Sequence, residues 1–191
     1  MTYFEQQFTE HLAVAEATRR ALQPAFDRML AVWAHAIKNG NKILFFGNGG
    51  SAGDAQHLAT ELTVRFVADR PAIAALALTT DTSAITAIGN DLGFDQLFAR
   101  QIEALGKPGD VAVAISTSGK SPNVIRGLET ARKLGLVATA LGGKDGGDMA
   151  SLADPILVVP SHTTARIQEM HIALGQMLCG ALEVELGYAR G

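Results

Sequence analysis

His57 and Glu61 stand four residues apart, directly after the turn Gly47-Asn48-Gly49-Gly50-Ser51. On a helix that spacing puts an imidazole and a carboxylate on one face. The three glycines of the turn permit positive φ and close approach, and the free N–H groups at a helix start can face an anion. A phosphate grip next to an acid/base pair suits chemistry on a small phosphorylated molecule. A second loop, Ser116-Thr117-Ser118-Gly119-Lys120-Ser121, offers four hydroxyls just before Pro122, a residue tolerated at the first position of a helix. Hydroxyls on a helix N-terminus suit a phosphate monoester. The second loop lacks the GxxxxGK[ST] spacing of a P-loop, and the first does not complete the GxGxxG dinucleotide fingerprint. No nucleotide cofactor is expected.

These loops need a scaffold that delivers both to one place. Residues 3–38 read as two helices, with Phe4, Phe8 and Leu12 in one set, Phe26, Met29, Leu30 and Trp33 in the other, and Pro24 between them. From residue 42 strand and helix alternate. Strands are expected at 43–46, 72–78, 111–115, 137–141 and 156–159. Helices are expected at 52–66, 82–88, 94–105, 122–134, 149–152 and 165–186. Short apolar strands separated by helices fit a parallel sheet covered on both faces. In such sheets ligands sit outside the carboxyl ends of the strands, where both loops fall. The helices before the first strand carry few chemical groups, and residues 1–40 are assigned to oligomer contacts.

Composition narrows the partners. With 191 residues, 48% of them hydrophobic, the chain can bury one sizeable core, and a single domain over 1–191 is expected. The net charge is −3, and the 16 Lys and Arg are dispersed, so no basic field exists to hold nucleic acid. The single cysteine, Cys179, lies in an apolar helical pattern and reads as a buried structural thiol. No apolar run reaches the length of a membrane span, and residues 1–5 show no secretory pattern. A cytoplasmic location is expected.

Several motifs in order now point one way: Gly47-Asn48-Gly49-Gly50-Ser51, Asp54-Ala55-Gln56-His57, Gly89-Asn90-Asp91, Ser116-Thr117-Ser118-Gly119 and Ala165-Arg166-Ile167-Gln168-Glu169-Met170-His171. Through them the chain resembles, over nearly its whole length, the phosphoheptose isomerase branch of the sugar isomerase (SIS) domain proteins. The resemblance implies an α/β fold, a three-layer flavodoxin-like SIS domain with a five-stranded parallel sheet and N-terminal helices. It also implies a homotetramer with active sites at subunit interfaces. The activity implied is conversion of sedoheptulose 7-phosphate to D-glycero-D-manno-heptose 7-phosphate, for the heptose of lipopolysaccharide. Asn48, Gly49, Gly50 and Ser51 would contact the sugar phosphate, Ser116, Thr117, Ser118 and Ser121 would hold its phosphate, and Asn90 and Asp91 would meet sugar hydroxyls. Glu61 would be one of two acid/base residues, and Gln168 a substrate and metal contact. Some members bind zinc, for which His57, Glu61 and Gln168 would be ligands here.

Gln176 takes the second catalytic position, eight residues after Gln168, where these isomerases carry a histidine. A glutamine there can hydrogen-bond a substrate but does not titrate near neutral pH. His171 reads as a structural histidine on a packed helix. The same branch contains a non-enzymatic protein that binds the replication initiator DnaA. That protein lacks the helix glutamate, which this chain keeps as Glu61. A DnaA-binding protein or a sugar-phosphate sensor is therefore the alternative to an enzyme.

Overall fold

The computed structural model describes residues 1–190. Strands β1 (Ile43–Gly47), β2 (Ala75–Ala77), β3 (Val111–Ser116), β4 (Val137–Gly143) and β5 (Ile156–Val159) form one parallel sheet in the order β2-β1-β3-β4-β5. Around it run α1 (Tyr3–Lys38), α2 (Gly50–Thr63), α3 (Thr82–Asp91), α4 (Leu97–Leu105), α5 (Pro122–Lys133) and α6 (Thr164–Glu185), with short 3₁₀ turns at Phe94–Gln96 and Gly147–Ser151. Every residue of β1 and β3 is buried, as unbroken apolar runs require when helices cover both faces. Side chains alternate across the sheet. Phe45 points into a core with Met29 and Trp33 of α1, Leu58 of α2 and Leu178 of α6. Leu44 and Phe46 point into the other, with Ile88 of α3, Phe98 of α4 and Leu128 of α5. Three layers result, and the strand order is that of the flavodoxin-like fold.

The chain leaves β1 toward β2 on one side and resumes at β3 on the other, so the sheet reverses its winding between β1 and β3. Gly47 pairs with Ile115, which brings the two strand ends side by side. The glycine turn and the hydroxyl loop therefore flank the crevice where ligands of this fold class bind.

Three expectations need correction. Residues 3–38 form a single helix that passes through Pro24. The lost hydrogen bond and ring clash cost about 3 kcal/mol. Burial of Leu22, Met29 and Trp33 on either side offsets this at roughly 1.5–3 kcal/mol per large apolar side chain. Strand β2 is shorter than residues 72–78, because Ile73 donates its N–H to the Leu62 carbonyl at the end of α2 instead of to the sheet. Helix α2 stops at Thr63, three residues early, since side chains of other segments take the backbone groups that would have continued it.

Candidate active site

The first loop is shaped by what it must avoid. A Cβ on Gly47 would lie 2.5 Å from the Ile115 carbonyl oxygen, so only glycine lets β1 end against β3. Gly49 precedes α2 at φ 57°, a left-handed conformation. No side chain caps α2 and no acidic residue lies in its first turn; Ser51, Ala52 and Gly53 donate to the Asn48 and Gly49 carbonyls of the turn itself, so the positive end of the helix dipole has no charged partner. Asn48 and Asn123, at the start of α5, exchange both amide hydrogen bonds, at 2.8 and 2.9 Å. That pair ties the β1 loop to the helix that follows β3.

The second loop folds around its own hydroxyls. Ser116 Oγ accepts the Gly119 N–H at 3.1 Å, and Ser118 Oγ accepts the Lys120 N–H at 3.3 Å. Thr117 and Ser121 are half-buried, and Ser121 stands at the α5 N-terminus, where its carbonyl accepts the Val124 and Ile125 N–H groups while its hydroxyl does not cap the helix. Gly119 has φ 65°, and a Cβ there would lie 2.1 Å from the Gly146 carbonyl oxygen. The loop is thus braced from behind by the turn after β4.

A third group forms where α2 meets α6. A Cβ on Gly175 would lie 2.5 Å from Leu58 Cδ1, so glycine lets the two helices touch. One residue further on, Gln176 Nε2 lies 3.2 Å from His57 Nε2, and the same ring nitrogen lies 2.9 Å from Glu61 Oε1. An imidazole nitrogen serves one such partner at a time. With its proton it donates to Glu61; bare, it accepts from the Gln176 amide. The Glu61 side chain is 19% exposed, against 47% for His57, so the carboxylate is partly desolvated yet reachable. Two helical turns before Gln176, Gln168 lies over Gly50, where a Cβ would fall 2.4 Å from its Nε2. Asp54 is half-buried, and its Oδ2 is buried without a partner. Burial raises its carboxyl above the usual range, and the nearby His57 partly counters this.

The structure thus joins Asn48 to the α5 start, Gly50 to Gln168, Ser116 to Ser118, and His57 to both Glu61 and Gln176. Asn90 and Asp91 lie at the exposed C-terminal end of α3, where the Asn90 amide donates to Asp91 at 2.6 Å, and no side-chain bond ties them to the groups above. His171 is fully buried and shares 2.9 Å with the Gly142 carbonyl, and burial lowers its pKa to about 4. It braces β4 and is closed to a substrate. Sequence reasoning passed over Asn123, Gly175, Arg70 and Glu183. Pro122-Asn123 directly after the hydroxyl loop was the available signal for the first, and a glycine beside Gln176 for the second.

Among the described residues no three His, Cys, Asp or Glu side chains gather to cage a metal. His57 and Glu61 provide one imidazole and one carboxylate, both ordinary zinc donors, and Gln168 and Gln176 add only neutral amides. That donor set fits a weakly held ion with open positions, not a closed four-ligand site.

Residues 4–143 match the model of the SIS domain family, well over half of the chain. The chain belongs to the SIS domain family. This SIS domain is 55% identical over 182 residues to the phosphoheptose isomerase of Paramagnetospirillum magneticum, covering 95% of both chains. It is 57% identical over 150 residues to that of Aquifex aeolicus, covering 78% of each. Among solved structures it superposes on phosphoheptose isomerase GmhA from Neisseria gonorrhoeae with a TM-score of 0.90 and 43% identity, over 95% of this chain and 97% of that one. A phosphoheptose isomerase from Francisella tularensis gives 0.92 and 36%, over 96% of this chain and 100% of that one.

Proposed function

We propose that this SIS domain is a phosphoheptose isomerase, an enzyme that interconverts sedoheptulose 7-phosphate and D-glycero-D-manno-heptose 7-phosphate. The observation that carries the reading is the meeting of His57, Glu61 and Gln176 across α2 and α6, on the helix whose open N-terminus faces the crevice. The phosphate would lie among the α2 amides and the Ser116, Thr117, Ser118 and Ser121 hydroxyls. Asn48, Gly49, Gly50 and Ser51 would line the sugar phosphate, and Gln168 would bond it from α6. Glu61 then removes a C1 proton from the open-chain ketose and returns it at C2, while the hydroxyl proton at O1 passes to O2, so that the carbonyl moves from C2 to C1. The Gln176 amide donates to the carbonyl oxygen as negative charge grows there, a stabilising contact that needs no titration. Asn90 and Asp91 would meet sugar hydroxyls.

The finer parts belong to the same reading. A zinc ion, if held, would sit on His57, Glu61 and Gln168 and polarise the substrate carbonyl as a Lewis acid. A homotetramer is supported by α1, which leaves Phe4, Phe8 and Leu12 exposed. A mostly apolar groove of about 620 Å³ between α1 and α6, lined by Leu12, Ala15, Met170, Leu174 and Met177 among others, would take another subunit. A cytoplasmic location accords with helices none of which, among the described residues, is long and apolar enough to cross a membrane. The product would supply heptose for lipopolysaccharide.

The test is direct. Purified protein with sedoheptulose 7-phosphate should form the aldoheptose phosphate, followed by NMR with and without added zinc. No turnover in either case, with measurable binding of purified DnaA, would establish the non-catalytic alternative. Sugar-phosphate binding alone would indicate a sensor.

A further inference from the structure

Glu61 is held from behind by a buried ion pair. The side chains of Arg70 and Glu183 are each 1% exposed, and Arg70 Nε donates to Glu183 Oε1 at 2.8 Å. The rest of the guanidinium serves backbone. Nη2 donates to the Glu61 carbonyl at 2.8 Å, and Nη1 to those of Leu62 and Pro71, both at 2.9 Å. Glu183, on α6, accepts the N–H groups of Phe66, Val67 and Ala68 at 3.0, 3.2 and 2.9 Å. Burial alone would raise this carboxyl, but the three amides and Arg70 together hold it below the usual range.

Stability is a weak reason for such a pair. Removing two charges from water is costly, and apolar residues of similar volume often stabilise a fold as well. What the pair does that apolar residues cannot is fix backbone. It ends α2 two residues after Glu61, covers the negative end of that helix with a cation, and ties the Glu61 carbonyl through Arg70 to the helix bearing Gln168 and Gln176. Packing points the same way: a Cβ on Gly180 of α6 would lie 3.0 Å from the Phe66 ring, so α6 and the amide-bearing loop are in close contact.

We propose that Arg70 and Glu183 are positioning residues of the isomerisation, setting the rotation and spacing of α2 against α6 so that Glu61 and His57 meet Gln176. This rests on the isomerase reading above. The phosphate-holding loops lie at the opposite end of α2, so disturbing the pair should misplace the carboxylate while leaving phosphate binding intact. Displacements of about 1 Å at a reacting group cost on the order of 10²-fold in rate.

The experiment compares wild type, Arg70→Lys and Glu183→Gln, with melting curves showing each folded at the assay temperature. The expected result is a kcat loss of about 10–100-fold for Arg70→Lys with KM within about twofold, and a smaller loss in the same direction for Glu183→Gln, which keeps the Arg70 bonds to Glu61 and Leu62. If Arg70→Lys does not fold, Glu183→Gln decides alone. Folded variants with wild-type kcat, or with KM rising in step with the fall in kcat, overturn the proposal and leave the isomerase reading standing. Unfolding of both variants overturns it too, because the pair would then be holding the fold. A wild type without turnover overturns the isomerase reading and the proposal together.

Discussion

The two ends of α2 are built in opposite ways. At the N-terminal end no side chain caps the helix, no acid lies in the first turn, and only the Asn48 and Gly49 carbonyls of the turn take the first amides, so the positive end of the helix dipole has no charged partner. At the C-terminal end the guanidinium of Arg70 takes the carbonyls of Glu61 and Leu62, and Glu183 takes the next free amides. A helix end that the protein itself completes is fixed in place. One left without a charged partner can take an anion that arrives. The phosphate would complete the open end, and the closed end holds the carboxylate that would do the chemistry. Binding and proton transfer are thus separated along about three turns of one helix, at 3.6 residues per turn.

The largest effect should come from removing the chemistry while leaving both ends intact. Glu61→Gln is expected to lower kcat by about 10²–10⁴-fold with little change in KM, measured by steady-state kinetics. A second test acts on the buried groups that brace the sheet and the closed end. Unfolded, His171 has the ordinary histidine value of 6.5, and folded it is about 4. Between those values the unfolded chain takes up a proton that the folded chain refuses. Stability should therefore fall as pH drops from 6.5 toward 4, by up to about 3 kcal/mol at 1.36 kcal/mol per unit. Glu183 adds the same sign lower down: its stabilisation is complete above 4.5 and is lost as pH falls through its depressed folded value. Denaturant titrations across this range check both.

Smaller effects should probe the open end. Gly119→Ala forces a Cβ against the Gly146 carbonyl at φ 65°, and should cost roughly 1–3 kcal/mol while raising KM for the sugar phosphate. Gly53→Asp sharpens the contrast most finely. Nothing lies within 4 Å of a Cβ at Gly53, in the first turns of α2, so the carboxylate should stabilise the fold by about 0.3–1 kcal/mol through the dipole. It should also raise KM several-fold by repelling the phosphate, a rise that salt would diminish. A higher melting temperature with unchanged KM would show that the phosphate lies elsewhere.

Much of this was legible because it is local. The apolar runs of β1, β3 and β5 and the turns at Gly47–Ser51 and Ser116–Ser121 follow from residue types within a few positions, and their bounds in the structure differ little from expectation. The pairing of His57 with Glu61 follows from helical spacing alone. What stayed hidden depends on contacts between distant segments. Glu183 reaches back more than a hundred residues to end α2, and nothing in the local pattern around Val64 announces that. Pro24 looked like a helix break because the burial that outweighs it comes from the sheet and α6. Arg70 likewise takes its role from a partner 113 residues away, Glu183.

The most direct measurement follows hydrogen at carbon. Sedoheptulose 7-phosphate incubated with the protein in deuterated water should yield aldoheptose phosphate carrying deuterium at C2, wherever the abstracted proton exchanges with solvent at the partly buried Glu61. The recovered ketose should gain label at C1, and both signals should vanish in Glu61→Gln. Label that persists at the wild-type rate in Glu61→Gln would contradict the assignment of Glu61 as the group that moves the carbon-bound proton.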